Sequence, residues 1–253
     1  MKTFVSTNII TACSLQPNLQ LKAKPKTSMQ NLFNDLKAKT HSKHEALEQS
    51  PPFALFHNMM GLTANELINE HSHNYLKVLC VMQQFHQHCL LVIDEAVELY
   101  PSLQPLVSHF EDNNILTALD DDLACMSASE ATFNNKLRDV NSPDFNTALS
   151  SAIAAMYVWL GSSMGANIIT RRLEKAGTTF PTHYYKTMAQ YAKVWPEFKL
   201  SVTSLLPQLI ERNELTHTNT QDLADAIISD ANLWFDYLIA VGKSTTLPSQ
   251  TLS

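Results

Sequence analysis

Glycine is scarce in this chain. There are five in 253 residues, and few β-branched runs alternate with polar positions. Without turn glycines and period-two patterning, a sheet protein is excluded and an all-helical one is expected. Four cysteines, Cys13, Cys80, Cys89 and Cys125, show no Cys-x-x-Cys pairing. That spacing supplies neither a zinc ribbon nor a disulfide framework, and it fits reduced thiols in a cytoplasmic protein. No unbroken apolar run approaches the about 18–20 residues that span a bilayer. A formal net charge of -6 argues against a nucleic-acid partner. Acidic residues are missing altogether from the first 29 positions, which carry Lys2, Lys22, Lys24 and Lys26 among many Thr, Ser, Asn and Gln. Their composition predicts a disordered extension, with Met29 as an alternative start.

What remains is rich in Leu, Ala, Gln, Glu and Lys at helical spacing. Helices are expected near 30–49, 63–98, 102–111, 114–126, 129–137, 143–176, 181–206 and 219–241, the second with a pause near Asn69. Pro51-Pro52, Pro101, Gly177 with Pro181, and the polar run Asn213 to Asn219 supply the breaks. The expected organisation is a single helical domain over 30–242, with a disordered tail over 243–253.

Two of the five glycines stand four residues apart in Tyr157-Val158-Trp159-Leu160-Gly161-Ser162-Ser163-Met164-Gly165-Ala166. Inside a helix each costs about 0.5–1 kcal/mol relative to alanine. Positions i and i+4 share a face, so the pair strips side chains from one strip of surface. Either a second helix or a flat cofactor can use such an opening.

A second segment, from Gln30 to Gln49, carries Leu32, Phe33, Leu36, Thr40, His44 and Leu47 at spacings of three and four. The pattern is an amphipathic helix, and it puts His44 on or beside the core-facing stripe. One turn on, Glu48 is spaced to orient the imidazole, as carboxylates do for metal-bound histidines. A satisfied core histidine is the plain alternative, and His41 is a competing ligand candidate.

The run Leu36-Lys37-Ala38-Lys39-Thr40-His41-Ser42-Lys43-His44-Glu45-Ala46-Leu47-Glu48 resembles the proximal helix of haem oxygenases. That family reads Leu-(Lys/Arg)-x-x-Thr-x-x-x-His-x-x-(Leu/Ala)-(Glu/Asp), with the histidine as iron ligand. The Tyr-x-x-x-Gly-Ser-x-x-Gly run from Tyr157 resembles the family's distal helix, above all in its bacterial, biliverdin-producing branch. The resemblance implies an all-α haem-oxygenase-like bundle with haem held between the two helices. It implies His44 as iron ligand, Glu48 beside it, and Gly161, Ser162 and Gly165 as the distal catalytic wall. Lys37, Lys199 and Tyr157 would contact the haem propionates. It further implies cleavage of haem to biliverdin, carbon monoxide and ferrous iron, with oxygen and an electron donor such as ferredoxin or an NAD(P)H-dependent flavoprotein reductase. Three positions depart from the pattern. Ser162 stands where many animal members have aspartate, Ala166 where many have glycine, and His41 where some have a second lysine.

Residues two apart on a helix face different ways, so His71-x-His73 and His86-x-His88 read as solvated histidines rather than metal sites. Asp120-Asp121-Asp122 reads as an exposed acidic face. Arg171, Arg172, Lys175, Lys186, Lys193 and Lys199 face only Glu174 and Glu197, a basic surface suited to propionates or an acidic redox partner. Two rival classes stay open. One is a non-catalytic haem-binding or carrier protein on the same fold. The other is a haem-free all-α enzyme of the thiamin-salvage type, which needs a reactive cysteine or paired carboxylates in its pocket.

Overall fold

A computed structural model describes residues 29–58, 63–110, 114–129, 140–211 and 219–244. Among them the chain is helical and holds no strand, as the glycine scarcity requires. The helices are α1 (Leu32–Gln49), α2 (Leu55–Asn58), α3 (Ala64–Leu99), α4 (Gln104–Val107), α5 (Asn114–Ser129), α6 (Ala148–Lys175), α7 (His183–Tyr191), α8 (Trp195–Glu211) and α9 (Thr220–Ser244). Met29–Asn31 form a 3-10 turn, and Met29, the last residue of the expected extension, is buried in the core. The rest of that extension, the tail beyond Ser244, and positions 130–139 of the expected 129–137 helix lie outside the described residues.

Local chemistry explains where the helices differ from their expected bounds. α3 runs 36 residues without a pause at Asn69. It starts on a capping box, in which Thr63 N–H donates to Glu66 and Glu66 N–H to the Thr63 hydroxyl. α6 begins at Ala148 rather than 143, because Thr147 and Ser150 form a second such box. It ends at Gly177, whose φ of 66° lets its N–H turn back to the Glu174 carbonyl at 3.0 Å. The expected 181–206 helix divides into α7 and α8. Pro196 has no N–H to continue a helix from α7, and sits in the first turn of α8, where none is needed. The expected 102–111 helix shrinks to Gln104–Val107.

α6 is the centre of the bundle, packed against α3, α7 and α9. Every residue from Leu149 to Met156 is buried, so its first two turns are covered on all sides. Beyond Leu160 burial becomes one-sided, and Met164 and Ile168 are exposed. This helix is also long and apolar enough by composition to cross a membrane; Ser and Gly interrupt its apolar runs, which hid it from a scan for unbroken ones. More than half of the stretch, 56%, is buried within the bundle, as befits a core helix.

Buried polar contacts fix α6 in place. Asp230 of α9, wholly buried, accepts from the Asn146 backbone and side-chain amides at 3.0 and 2.6 Å and from the Ser150 hydroxyl. The Trp234 indole N–H donates to the Ser151 carbonyl at 3.0 Å. On the other side Asp122 is not part of an exposed acidic face; it is 2% exposed. Its carboxylate accepts the N–H groups of His183 and Tyr184 at 3.1 and 2.9 Å, holding the start of α7. His86 is likewise fully buried rather than solvated. Its Nε2 meets the Tyr184 hydroxyl at 3.0 Å, and burial pushes its pKa down to about 3, so the ring is neutral at physiological pH. His73 is exposed, and half-buried His88 meets Ser142 at 3.0 Å.

Gly242 on α9 serves contact with the chain after α1. A Cβ there would stand 2.7 Å from the Pro51 carbonyl oxygen and 3.0 Å from Pro52 Cδ. Gly242→Ala is therefore expected to destabilise the fold by about 1–3 kcal/mol, since backbone must shift to admit the methyl group. A denaturant midpoint equal to wild type would refute that reading.

Candidate functional site

Between α1 and the second half of α6 lies a cavity of about 730 Å³, within the size range of cofactor pockets. Phe53 and Phe56, Met82 and Phe85 from α3, and Phe235 and Leu238 from α9 give it an apolar interior. Ion pairs dock α1 alongside α9, with Lys43 to Asp236 at 2.6 Å and Lys39 to Asp225 at 3.7 Å.

Gly161 and Gly165 line this cavity, and a Cβ built on either meets nothing within 4 Å. Among the described residues no helix packs into the strip. The bare face opens on the cavity and continues through Ile168, Ile169 and Arg172 at helical spacing.

Opposite, α1 contributes Lys37, Thr40, His41, His44 and Glu48 to the lining. His44 packs edge-on against the Phe235 ring at 5.7 Å between centroids, so it is a cavity-wall group and not a core histidine. Its Nδ1 stands 3.5 Å from Glu48 Oε1, while Nε2 has no partner among the described residues. The other Glu48 oxygen stands 3.4 Å from His57 Nε2. One carboxylate thus faces two histidines. His41 also borders the cavity, more exposed, with Nε2 3.3 Å from Glu45.

Tyr157 is half-buried, its hydroxyl 3.4 Å from Thr40 Oγ1. Thr40 already donates to the Leu36 carbonyl at 2.8 Å, so the phenol is the donor of that pair. Burial raises the Tyr157 pKa, with the Thr40 contact opposing, and the phenol keeps its proton at neutral pH. Ser162 lines the cavity, yet its hydroxyl donates to the Trp159 carbonyl at 2.7 Å. Lys199 does not line the cavity. The new helix that starts at Trp195 lays its ammonium over the Trp195 ring at 5.7 Å.

Arg172, expected only as part of a basic surface, borders the cavity, as do His57, Tyr184, Tyr185 and Phe235, which no sequence pattern marks. Arg172 had a signal, seven residues after Gly165 on the same face. His57 had none, because it arrives from another helix. Arg172 donates to the Phe56 carbonyl at 3.2 Å, and so ties α6 to α2 beside His57. Elsewhere on the basic stretch, Lys186 is paired with Glu174 at 3.1 Å.

Among the described residues no group of three His, Cys, Asp or Glu side chains is arranged to hold a bare metal ion. Cys80 and Cys89 are buried, and no described thiol lines the cavity. The two lining carboxylates, Glu45 and Glu48, each face a histidine rather than one another. No protein-family model matches the chain, and no curated protein or solved structure does. Among the described residues the protein is all-helical, with a largely apolar cavity between α1 and α6. A histidine stands on one wall and bare backbone on the other.

Proposed function

We propose that this protein is a haem-binding protein of the two-helix sandwich kind and, within that class, a haem oxygenase that cleaves haem to biliverdin, carbon monoxide and ferrous iron. The observation that carries the reading is the pairing of His44 with the open glycine strip across one apolar cavity. A macrocycle brings four equatorial nitrogens to its iron, so one protein histidine is enough where a bare ion finds no ligand set.

The residues fit such a ligand. Nε2 of His44 has no partner among the described residues and would be the ligating atom, with Glu48 3.5 Å from Nδ1 on the other side of the ring. Gly161 and Gly165 would admit a flat ring close to the α6 backbone, and no histidine or cysteine lines that wall. Phe85, Phe235 and Leu238 exclude water from the ring faces. Lys37 and Tyr157, close together across the Thr40 contact, supply a charge and a donor for propionates; Arg172 is a further cation at the other end. When bound, haem supplies both the iron at which oxygen is reduced and the ring carbon that is oxidised. Electrons come from an external ferredoxin or flavoprotein.

A carrier that binds haem without turnover is the second reading. It is favoured by one fact: the α6 wall holds no carboxylate near Gly161, and the Ser162 hydroxyl is spent on a carbonyl. The test is an absorption spectrum with one equivalent of haem, followed through addition of reductant under air. Loss of the Soret band with rising broad red absorption, little affected by catalase, is the result expected of the oxygenase. A ferrous-oxygen spectrum that persists, or bleaches only through free peroxide, assigns the carrier. No Soret band at all overturns both.

A further inference from the structure

Two nitrogen atoms in the core lack partners, and the rings that carry them touch. His86 Nδ1 on α3 and Trp159 Nε1 on α6 are both buried, and neither has a hydrogen-bond partner among the described residues. The two rings meet at 4.2 Å between centroids, their planes 64° apart. Phe85 packs on His86 at 5.1 Å and Phe110 on Trp159 at 5.2 Å, and neither ring offers a hydrogen-bond acceptor of its own. A buried polar group left unpaired costs about 1–3 kcal/mol. Native folds satisfy such groups from the protein or from ordered water.

The chemistry of the two nitrogens selects the missing partner. An indole N–H only donates, so Trp159 needs an acceptor and cannot ligate a metal cation. The other nitrogen of His86 is engaged, with Nε2 3.0 Å from the Tyr184 hydroxyl. Burial alone lowers the His86 pKa, with no nearby charge contributing, and a buried anion without a countercharge is costly. Nδ1 of a neutral imidazole donates in one tautomer and accepts in the other. Water serves both. It takes two protons when Nδ1 carries one, or takes the Trp159 proton and donates to Nδ1 when it does not.

We propose that one internal water is bound between His86 and Trp159 as a fixed member of the core. It accepts from the indole N–H and pairs with His86 Nδ1, completing a polar chain from Trp159 through His86 to Tyr184. That chain ends at the cavity, which Tyr184 lines while His86 and Trp159 do not. The water holds the imidazole in one orientation, and with it the Tyr184 hydroxyl. None of this depends on the haem reading.

The test is proton NMR of the full chain without added ligand. The Trp159 indole proton is expected to show a cross-peak to water, of the sign that marks a water held longer than the protein takes to tumble. Trp234 is the internal control, since its indole N–H donates to the Ser151 carbonyl and should show none. A folded His86→Leu variant should lose the Trp159 cross-peak. A crystal structure should place a water oxygen within about 2.7–3.2 Å of both nitrogens. Absence of the cross-peak in the wild type overturns the inference, as does its survival in folded His86→Leu. Electron density in which the indole N–H rests on the imidazole face with no water between them overturns it as well. Should His86→Leu fail to fold, the wild-type cross-peak and the crystal structure still decide.

Discussion

Gly165→Ala is expected to make the free protein more stable and the haem complex weaker. In the middle of a helix the substitution removes the excess conformational entropy that glycine loses on folding, worth about 0.5–1 kcal/mol. In most cores crowding would cancel that gain. Here the new Cβ meets nothing within 4 Å, so the gain survives, and the melting temperature of the ligand-free protein should rise by about 1–3 °C. The methyl group then stands in the space a flat ligand must occupy. Overpacking of that kind costs about 1–3 kcal/mol, a loss of roughly 5- to 150-fold in haem affinity. Gly161→Ala should behave alike, and Gly165→Leu should abolish binding. Opposite signs for stability and affinity are what a cavity-lining glycine produces. Gly242→Ala, with Pro51 at 2.7 Å, should lose stability outright. If Gly165→Ala binds haem as tightly as wild type, the planar ligand does not lie against α6.

The second large effect belongs to His44. Replacement by alanine should remove the iron ligand, shift the haem spectrum, and lower turnover by more than the about 10–100-fold typical of losing a supporting residue such as Glu48. Truncation leaves room beside Phe235, so added imidazole should restore part of the wild-type spectrum. His41→Ala is the control. Both histidines border the cavity, and each faces a glutamate four residues on. His44 differs in its contact with Phe235 of α9 and in sharing Glu48 with His57. Should His41→Ala abolish the spectrum while His44→Ala spares it, the ligand has been assigned to the wrong residue and the Glu48 arrangement has another purpose.

Glu48→Gln gives an intermediate outcome on the same scale. Loss of the carboxylate frees both His44 Nδ1 and His57, so haem should still bind while the ligand becomes a weaker donor. A more positive haem reduction potential with an intact Soret band would show it; an unchanged potential would mean that Glu48 does not act on the ligand.

Along the chain the legible part was what repeats with helical period. Leu32, Leu36, Thr40 and His44 belong to one stripe, and they do line one side of α1. Gly161 and Gly165 announced a bare strip because a glycine pair at that spacing has few other uses inside an apolar helix. What they would face was undecided, since a helix and a flat ligand make the same demand on sequence. Ends of helices were less readable. The division between α7 and α8 is marked in the sequence by Pro196, which lacks the N–H that a helix interior needs. Asp122 and His86 were misjudged for a common reason. Polar type predicts exposure only until a partner from another element makes burial tolerable, and the partners here, the α7 backbone and Tyr184, are remote in the chain.

By itself the sequence determined the helical class and the stripes of single helices, because these follow from backbone entropy and from period-3.6 patterning within single segments; that α1 and α6 face one another was implied only by the family resemblance. Only the tertiary structure decided that the glycine strip meets a cavity and that Lys199 stands over Trp195 instead of beside it. The same holds for His57 reaching Glu48. Each of these joins groups carried by different helices. Their meeting depends on how whole faces pack, a property that the spacing of residues along one helix does not contain.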